Sequence, residues 1–436
     1  MICWSSHECD TCGIKLMKFR SLFRLGVGAL RSNQETRGIP TIIMDATSIS
    51  FNESNLAQLA ATADRATRRN LITSLRRMAD SLEDTIGTIH RYGHIDLEKA
   101  MIKLGYDLGL FNILAKSDSV KTADEVAQEA GADPQLIRRV LRYYNTINVA
   151  REVGPHQYVP TNITRNLTEK VCVAAMGHYY NLVAKQYQAT PEYLKERGYQ
   201  NPTDENDTAI QMGWNTKEPT FKFMLKVPNA MEDFHTYMAL RREADLSWLT
   251  VYPVQKEAAG LTDPERPLYV NVGGGIGHQC AQFRQQYPDI PGRVILQDLP
   301  DTVARALPTP GVENMAHDFF EEQPVKGAKF YFMRGVPHNH PPHRVRLLFQ
   351  RIREAMAPDS VLLVDETVLP PTNVGFIAAS IDLTMLGAFA SMERTEAEWR
   401  ELAESVGLEL VRTYTYNALD NETVMELRLP RDNTTT

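Results

Sequence analysis

The spacing of apolar residues along the chain predicts helices first and strands later. Apolar residues recur at helical intervals between residues 55 and 93, and again over 100–116, 122–130 and 133–147. Residues 149–164 instead alternate between apolar and polar, which predicts a small β-hairpin. Three successive helices followed by a hairpin indicate a winged-helix unit.

The second half of the chain has a different pattern, in which short apolar runs alternate with helical stretches. Strands that alternate with helices predict a doubly wound α/β domain. The last two runs are joined only by residues 417–421, so we expect them to pair as an antiparallel hairpin. The predicted strands are 267–272, 293–296, 329–333, 360–364, 408–414 and 423–429.

These patterns divide the chain into four parts. Residues 1–43 carry clustered cysteines and an excess of basic residues, so we expect a disordered extension, with an organelle-targeting peptide as the alternative. Residues 44–169 form the helical and winged-helix domain, and residues 261–436 form the α/β domain. Residues 170–260 are mostly helical and rich in methionine and aromatic residues, which suits the wall of a pocket for a flat, apolar ligand.

Composition narrows the class of protein. The chain has 436 residues, 43% of them apolar, and a formal net charge of -7, which is typical of an ordinary globular protein. No apolar run reaches the roughly 20 residues of a membrane-spanning helix, so we expect a cytoplasmic protein with no membrane partner. The five cysteines are too unevenly spaced for a disulfide framework. His7, Cys9 and Cys12 lack a second pair at zinc-finger spacing, so no metal site is predicted.

A winged helix also permits DNA binding, with Arg138, Arg139 and Arg142 of the third helix as the residues that would contact bases. Apolar residues are interleaved with these arginines, and the acidic net charge opposes binding to a phosphate backbone. We therefore favour an interface or packing role for this helix and expect no nucleic-acid partner.

The strongest local motif is a strand that runs directly into Gly273-Gly274-Gly275-Ile276-Gly277. Glycines at this point let a ligand approach main-chain N–H groups and the N-terminus of the next helix. Asp298 ends the next strand, where a carboxylate can accept from ribose hydroxyls. Asp318 and Phe319 follow a third short strand and suit an adenine amino group and ring. The spacing fits either NAD or S-adenosylmethionine, and the antiparallel terminal hairpin favours the second.

Six motifs follow one another in the order of a single enzyme family. They are VGGGIGH at 272–278, LQDLP at 296–300, HDFF at 317–320, FYFMRGVPH at 330–338, LLVDETVLP at 362–370 and MERT at 392–395. Through them the chain, from about residue 80 to about residue 430, resembles the class I S-adenosylmethionine-dependent O-methyltransferases of the caffeate and flavonoid type, and most closely the fungal secondary-metabolism branch.

The resemblance implies a fold, a cofactor and an assembly. The expected fold is a Rossmann-like class I methyltransferase domain over 261–436, whose seven-stranded sheet ends in an antiparallel hairpin, preceded by an α-helical winged-helix dimerisation domain over 44–169. We expect a homodimer that binds S-adenosylmethionine and a small aromatic or polyketide-like substrate. The cofactor residues implied are Gly273 and Gly275 at the methionine part, Asp298 at the ribose, Asp318 and Phe319 at the adenine, and Arg334 before the catalytic loop.

The same resemblance implies that His338 is the general base, with Glu366 and Glu393 as the carboxylates beside it. A neutral imidazole with a pKa of about 7 can take a hydroxyl proton as the oxygen attacks the methyl group. A carboxylate on the other ring nitrogen fixes the tautomer and stabilises the imidazolium. The expected activity is methyl transfer to a hydroxyl of an aromatic or polyketide-derived secondary metabolite.

Two departures from the family pattern keep an alternative open. Asn271 replaces the usual Asp, and the loop from His338 reads HNHPP where the family usually has HDWPD. Some fungal relatives keep the cofactor bound and catalyse dehydration and pericyclic ring closure instead, and His178 and Arg241 fall near the substrate-holding positions of those pericyclases. A histidine at position 338 favours methyl transfer, because the pericyclases carry Arg or Lys there. A DNA-binding regulator that senses the cofactor is the non-enzymatic alternative.

Overall fold

The computed structural model describes residues 61–241 and 247–431. The predicted extension over 1–43, with the group of His7, Cys9 and Cys12, lies outside the described residues. The chain divides into two units, Met1–Arg77 and Met78–Thr436, and every site residue discussed below belongs to the second. The first described helix, α1, spans Arg65–Leu82.

The predicted winged-helix unit is present in the second unit. It comprises α2 (Thr85–Gly93), α3 (Ile95–Asp107), α4 (Leu110–Ala115), β1 (Lys121–Thr122), α5 (Ala123–Ala130), α6 (Pro134–Thr146), β2 (Ala150–Gly154) and β3 (Gln157–Pro160). The strands pair in the order β1-β3-β2. The predicted cap of α5 is confirmed, because Thr122 and Glu125 form a reciprocal capping box. The prediction of one helix over 100–116 is wrong: the chain turns at Gly109, whose φ of 65° separates α3 from α4.

The next region, from residue 162 onward, is mostly helical; the sequence predicts this from residue 170, whereas the first helix replaces the end of the predicted hairpin. It contains α7 (Asn162–Asn166), α8 (Lys170–His178), a π-helical turn (Tyr179–Val183), α9 (Ala184–Glu196), α10 (Ala209–Trp214), α11 (Thr220–Met224) and α12 (Ala230–Leu240). A π-turn inserts an extra residue into the helix and rotates the side chains that follow it. After residue 246 come a 3-10 turn (Trp248–Thr250) and α13 (Val254–Glu257).

The remaining elements form the predicted doubly wound domain. They are β4 (Pro267–Val272), α14 (His278–Gln286), β5 (Arg293–Asp298), α15 (Pro300–Val303), β6 (Val312–Ala316), β7 (Phe330–Arg334), α16 (Pro342–Arg353), β8 (Val361–Leu369), α17 (Phe376–Phe389), β9 (Arg394–Thr395), α18 (Glu396–Ser405), β10 (Glu409–Asn417) and β11 (Glu422–Arg428). Seven strands follow the order β10-β11-β8-β7-β4-β5-β6, and β9 adds a short parallel pair to β8. Because β10 and β11 are antiparallel to each other and β11 to β8, the predicted terminal hairpin is confirmed.

Two apolar layers cover the sheet. On one face of the sheet, side chains that include Val270, Met333 and Val364 pack against the buried faces of α16 and α18. On the opposite face, Tyr269 and Phe332 pack with Trp248 and Phe283. Each such fully buried side chain contributes about 2 kcal/mol through removal of apolar area from water. This packing fixes the carboxyl ends of β4, β5, β7 and β8 at one edge, which is where ligands bind in sheets of this kind.

Within the described residues we find no helix that has both the length and the apolar composition needed to cross a membrane.

Candidate active site

The glycine loop after β4 presents bare main chain at the start of α14. Gly273, Gly275 and Gly277 have φ angles of 66°, 60° and 96°, which side chains rarely adopt. A Cβ on Gly273 would lie 2.8 Å from Cγ2 of Val336 and 3.3 Å from Cε1 of Phe319, whereas one on Gly275 would meet no atom within 4 Å. The loop is therefore packed tightly on one side and open on the other, as a surface that receives a ligand must be.

Asp298 closes one side of this loop. Its Oδ2 accepts a hydrogen bond from the main-chain N–H of Gly275 (2.8 Å), and its Oδ1 accepts from that of Leu299 (2.8 Å). Burial raises the pKa of Asp298, and these two hydrogen bonds oppose that shift. The carboxylate at the end of β5 is thus fixed beside the glycine loop, where it suits the hydroxyls of a ribose.

The two residues predicted to contact adenine, Asp318 and Phe319, follow β6, and the ring of Phe319 reaches the glycine loop. Phe319 approaches Gly273, and Asp318 beside it accepts from the main-chain N–H of Phe320 (2.9 Å). The structure therefore brings together the bare main chain of the glycine loop, the carboxylate of Asp298 and the ring of Phe319. These groups fit an adenosine-containing cofactor.

Arg334 has a different environment from the one expected for a cofactor contact. Its Nε lies 3.1 Å from Oδ2 of the fully buried Asp365, and Tyr416 donates to the other oxygen of that carboxylate (2.8 Å). The guanidinium therefore balances a buried charge between β7, β8 and β10. Its role toward the cofactor stays a prediction.

The three predicted catalytic side chains meet at the ends of β7 and β8. Nδ1 of His338 lies 2.7 Å from Oε1 of Glu393 and 4.0 Å from Oε2 of Glu366. The main-chain N–H of His338 also donates to Oε1 of Glu366 (3.2 Å). A carboxylate acceptor at Nδ1 favours, in the neutral ring, the tautomer that carries the proton on Nδ1, and Nε2 can then accept a proton.

Burial and charge set the titration of this cluster. The side chain of His338 is 16% exposed, whereas those of Glu366 and Glu393 are 1% and 0% exposed. Burial alone would lower the pKa of His338, but Glu366 and Glu393 outweigh it and raise that pKa above 6.5. Burial raises the pKa of Glu366 to about 7. Oε2 of Glu393 is buried and has no hydrogen-bond partner among the described residues.

The same three side chains offer donor atoms within 4.8 Å of one another, close enough to hold a metal ion. The prediction of a metal-free site therefore stays a prediction.

The two unusual residues after His338 have structural partners. Asn339 donates through Nδ2 to the carbonyl of Gly335 (3.0 Å). His340 places Nδ1 3.2 Å from Oε2 of Glu205, and its ring packs edge-on against Phe320 with centroids 5.0 Å apart. The departure from the family pattern in this loop therefore leaves the contact between His338 and Glu393 intact.

His178 and Arg241 belong to the helical pocket region. The ring of His178 lies among those of Tyr179, Phe234 and Tyr237, with centroid distances of 5.4, 5.5 and 6.2 Å. Burial lowers the pKa of His178 to about 4, so the ring is neutral, and its Nδ1 has no hydrogen-bond partner among the described residues. The positive charge of Arg241 contributes a lowering to the pKa of both Tyr179 and His338, so Arg241 lies within electrostatic range of both groups.

Several neighbours of the cluster were not predicted from the sequence. Asp382 accepts from the main-chain N–H of Glu393 (2.8 Å). Ser391 and Arg394 donate to carbonyls of residues 337–340, the turn that contains the 3-10 helix Pro337–Asn339 and carries His338. Arg394 belongs to the MERT motif, but a cation just before a helix looks like a surface residue in a sequence. α17, which carries Asp382, was also missed, because apolar residues surround it and leave no periodic pattern.

Comparison with known proteins identifies the family. A family model of the O-methyltransferase domain matches residues 262–409, and a model of the O-methyltransferase dimerisation domain matches residues 97–170. O-methyltransferase ucdC of Aspergillus ustus is 38% identical over 365 residues, which cover 84% of this chain and 95% of that protein. The chain belongs to the class I S-adenosylmethionine-dependent O-methyltransferases. The family resemblance seen in the sequence motifs is thus confirmed.

Solved structures of relatives agree with this membership. The LepI complex with S-adenosylmethionine is 33% identical, with a TM-score of 0.81, and the match covers 88% of this chain and 100% of that one. A solved pericyclic reaction enzyme is also 33% identical, with a TM-score of 0.80 and the same two shares. The predicted fold class is confirmed, and the chain is an enzyme of this family with S-adenosylmethionine as its cofactor. The domain limits at 44, 170 and 261 stay predictions.

Proposed function

We propose that this enzyme transfers the methyl group of S-adenosylmethionine to a hydroxyl of an aromatic or polyketide-derived secondary metabolite, with His338 as the general base. The observation that carries the proposal is the 2.7 Å contact between Nδ1 of His338 and Oε1 of Glu393. This contact orients the ring and, in the neutral imidazole, favours the tautomer with its proton on Nδ1, which leaves Nε2 free to accept a proton as a base must.

The chain's own residues would manage the proton. When bound, S-adenosylmethionine supplies an electrophilic methyl group on its sulfonium. A phenolic hydroxyl has a pKa of about 10, so it keeps its proton until Nε2 of His338 accepts it as the oxygen attacks. Glu393, bonded to Nδ1, then stabilises the imidazolium, and Glu366 adds a second acidic group 4.0 Å away. Gly273, Gly275, Asp298 and Phe319 would hold the cofactor.

The acceptor class is inferred from the pocket wall. Tyr179, Phe234 and Tyr237 surround His178, and Phe221 packs against Phe389 of α17 with ring centroids 5.1 Å apart. Aromatic side chains at this density favour a flat ligand that buries its faces, with few polar groups to orient it.

A homodimer is part of the proposal. The helices α2 and α3 expose Ile86, Ile89, Tyr92 and Ile95, each at least 49% exposed. Exposed apolar residues on adjoining helices are typical of a surface that another subunit covers. Sedimentation of the purified protein should give twice the chain mass, and a monomer at micromolar concentration would contradict this part of the proposal.

The test of the activity uses the enzyme, S-adenosylmethionine and a panel of phenolic and polyketide-derived acceptors, followed by mass spectrometry. We expect a product heavier by one methyl group together with S-adenosylhomocysteine, and neither with His338→Ala. Methyl transfer at the full rate by His338→Ala would exclude His338 as the base.

A cofactor-dependent pericyclase is the second candidate. It is favoured by the buried, neutral His178 and by the electrostatic link from Arg241 to His338, because these groups could polarise a substrate carbonyl. The similarity to a solved pericyclic reaction enzyme supports the same idea. In the assay above, this function would give an isomer or a dehydrated ring, with the cofactor required but not consumed.

A further inference from the structure

The turn that carries His338 is held from behind by one short segment. Ser391 Oγ lies 2.7 Å from the carbonyl oxygen of His338 and 2.6 Å from that of His340, so its proton is shared between them. Arg394 donates through Nη2 to the His340 carbonyl (2.9 Å) and through Nη1 to that of Pro337 (3.5 Å). Three carbonyls of the 337–340 turn therefore converge on residues 391–394.

The same segment carries the partner of the base. Glu393 lies between Ser391 and Arg394, and its main-chain N–H donates to Asp382 (2.8 Å). The relative position of the imidazole and its carboxylate is therefore set by hydrogen bonds from the side chains of one segment to the carbonyls of another, about 50 residues away in sequence. A shift of either piece would lengthen the 2.7 Å contact.

Arg394 is an unusual residue to find here, because it is only 1% exposed. A buried guanidinium is costly unless carboxylates and hydrogen-bond acceptors surround it. Burial lowers the pKa of Arg394, and the carboxylates of Glu366, Glu393, Glu398 and Asp382 oppose that shift. Two of those four carboxylates belong to the catalytic cluster, so the cation compensates their charge while its N–H groups hold the turn.

We propose that Arg394, assisted by Ser391, is a positioning residue of this active site, which fixes the His338 turn against the Glu393 segment and so keeps the imidazole aligned with its carboxylate. The inference rests on the proposed role of His338. Neither residue needs to touch the substrate, so their loss should lower kcat and leave the affinity for the cofactor unchanged.

Four variants test the proposal. Arg394→Met removes every donor and should lower kcat about a hundredfold, since small misplacements of a catalytic group have effects of that size. Arg394→Lys keeps the positive charge but cannot donate from two terminal nitrogens to two carbonyls at once, so it should lower kcat about tenfold. Ser391→Ala should lower it about fivefold, the value of one hydrogen bond. Arg400→Met is the control, because Arg400 lies on the adjoining α18, is 41% exposed and should retain kcat within about twofold.

A spectroscopic measurement separates positioning from a merely structural role. The proton shared by His338 Nδ1 and Glu393 should give a low-field NMR resonance that is lost in His338→Ala. We expect this resonance to move upfield in Ser391→Ala and Arg394→Lys, with S-adenosylhomocysteine binding unchanged and thermal unfolding still cooperative, although its midpoint should fall because buried carbonyls lose a donor. If Arg394→Met does not fold, these two variants carry the test.

Wild-type kcat and an unmoved resonance in both Ser391→Ala and Arg394→Lys would overturn the inference. The resonance does not depend on catalysis. If the wild-type enzyme transfers no methyl group but the resonance moves as expected, the proposed function fails and the positioning role stands.

Discussion

The catalytic cluster and the pocket wall lie near each other but differ in how their polar groups are paired. Each side chain of the cluster has at least one partner within the chain, since His338 pairs with Glu393 and Glu366 accepts from the main chain of His338, although the buried Oε2 of Glu393 lacks one among the described residues. In the pocket wall, Nδ1 of His178 is buried with no hydrogen-bond partner among the described residues. Since an unpaired buried nitrogen is costly, it marks a place that a ligand can complete. We therefore expect the cluster to set the chemistry and the wall to select the acceptor.

The largest effect expected from this comparison is the loss of the base. His338→Ala should lower methyl transfer by more than about a hundredfold, the usual contribution of a general base. Binding of S-adenosylhomocysteine, measured by calorimetry, should stay unchanged. His343→Ala, an exposed histidine on α16, is the matched control and should keep full activity. Loss of cofactor binding in His338→Ala would mean that His338 belongs to the cofactor site instead.

The cofactor loop should respond to a single methyl group. In Gly273→Ala the new Cβ would lie 2.8 Å from Cγ2 of Val336, and alanine rarely adopts the φ of 66° found here. The loop must therefore shift, so the affinity for S-adenosylhomocysteine should fall about tenfold or more. Gly198→Ala is the control, because its φ is 61° but no atom lies within 4 Å of the added Cβ. Gly198→Ala should lose about 1 kcal/mol of stability because of its positive φ, and Gly273→Ala should lose more because Val336 must also move. Equal affinity in the two variants would contradict the assignment of the loop.

The pH dependence should reveal the charge of Glu366. His338 must be neutral to act as a base, so kcat/KM should fall as the pH drops through its pKa, which Glu366 and Glu393 raise above 6.5. Glu366→Gln removes the negative charge that Glu366 carries above its own pKa of about 7, which lowers the pKa of His338 and moves the acid limb of the profile to lower pH. A limb that moves to higher pH, or does not move, would mean that Glu366 carries no charge beside His338.

The smallest effect is expected in the pocket wall. His178→Phe replaces the buried ring nitrogen by carbon, so the free energy of unfolding should change by less than about 1 kcal/mol. Cofactor affinity should also stay the same, and KM for the acceptor should rise. Unchanged KM across several acceptors would show that the wall does not contact the substrate at His178.

The sequence predicts some features of the molecule better than others, for a physical reason. The strands, the glycine loop and the motifs that carry His338, Glu366 and Glu393 have fixed spacing, because the carboxyl ends of parallel strands must meet at one edge. The break at Gly109, the helix α17 and the contacts of Arg394 depend on tertiary packing. A glycine inside a helical pattern, an apolar helix without a polar face and a buried arginine all look ordinary in a sequence.

The most direct test of the central claim is the amount of S-adenosylhomocysteine formed per acceptor molecule consumed by the wild-type enzyme. Methyl transfer through the His338 and Glu393 pair predicts a ratio of about one, with each product molecule carrying one added methyl group. A ratio near zero, with the acceptor converted to an isomer or a dehydrated product, would contradict methyl transfer and assign the site to pericyclic chemistry.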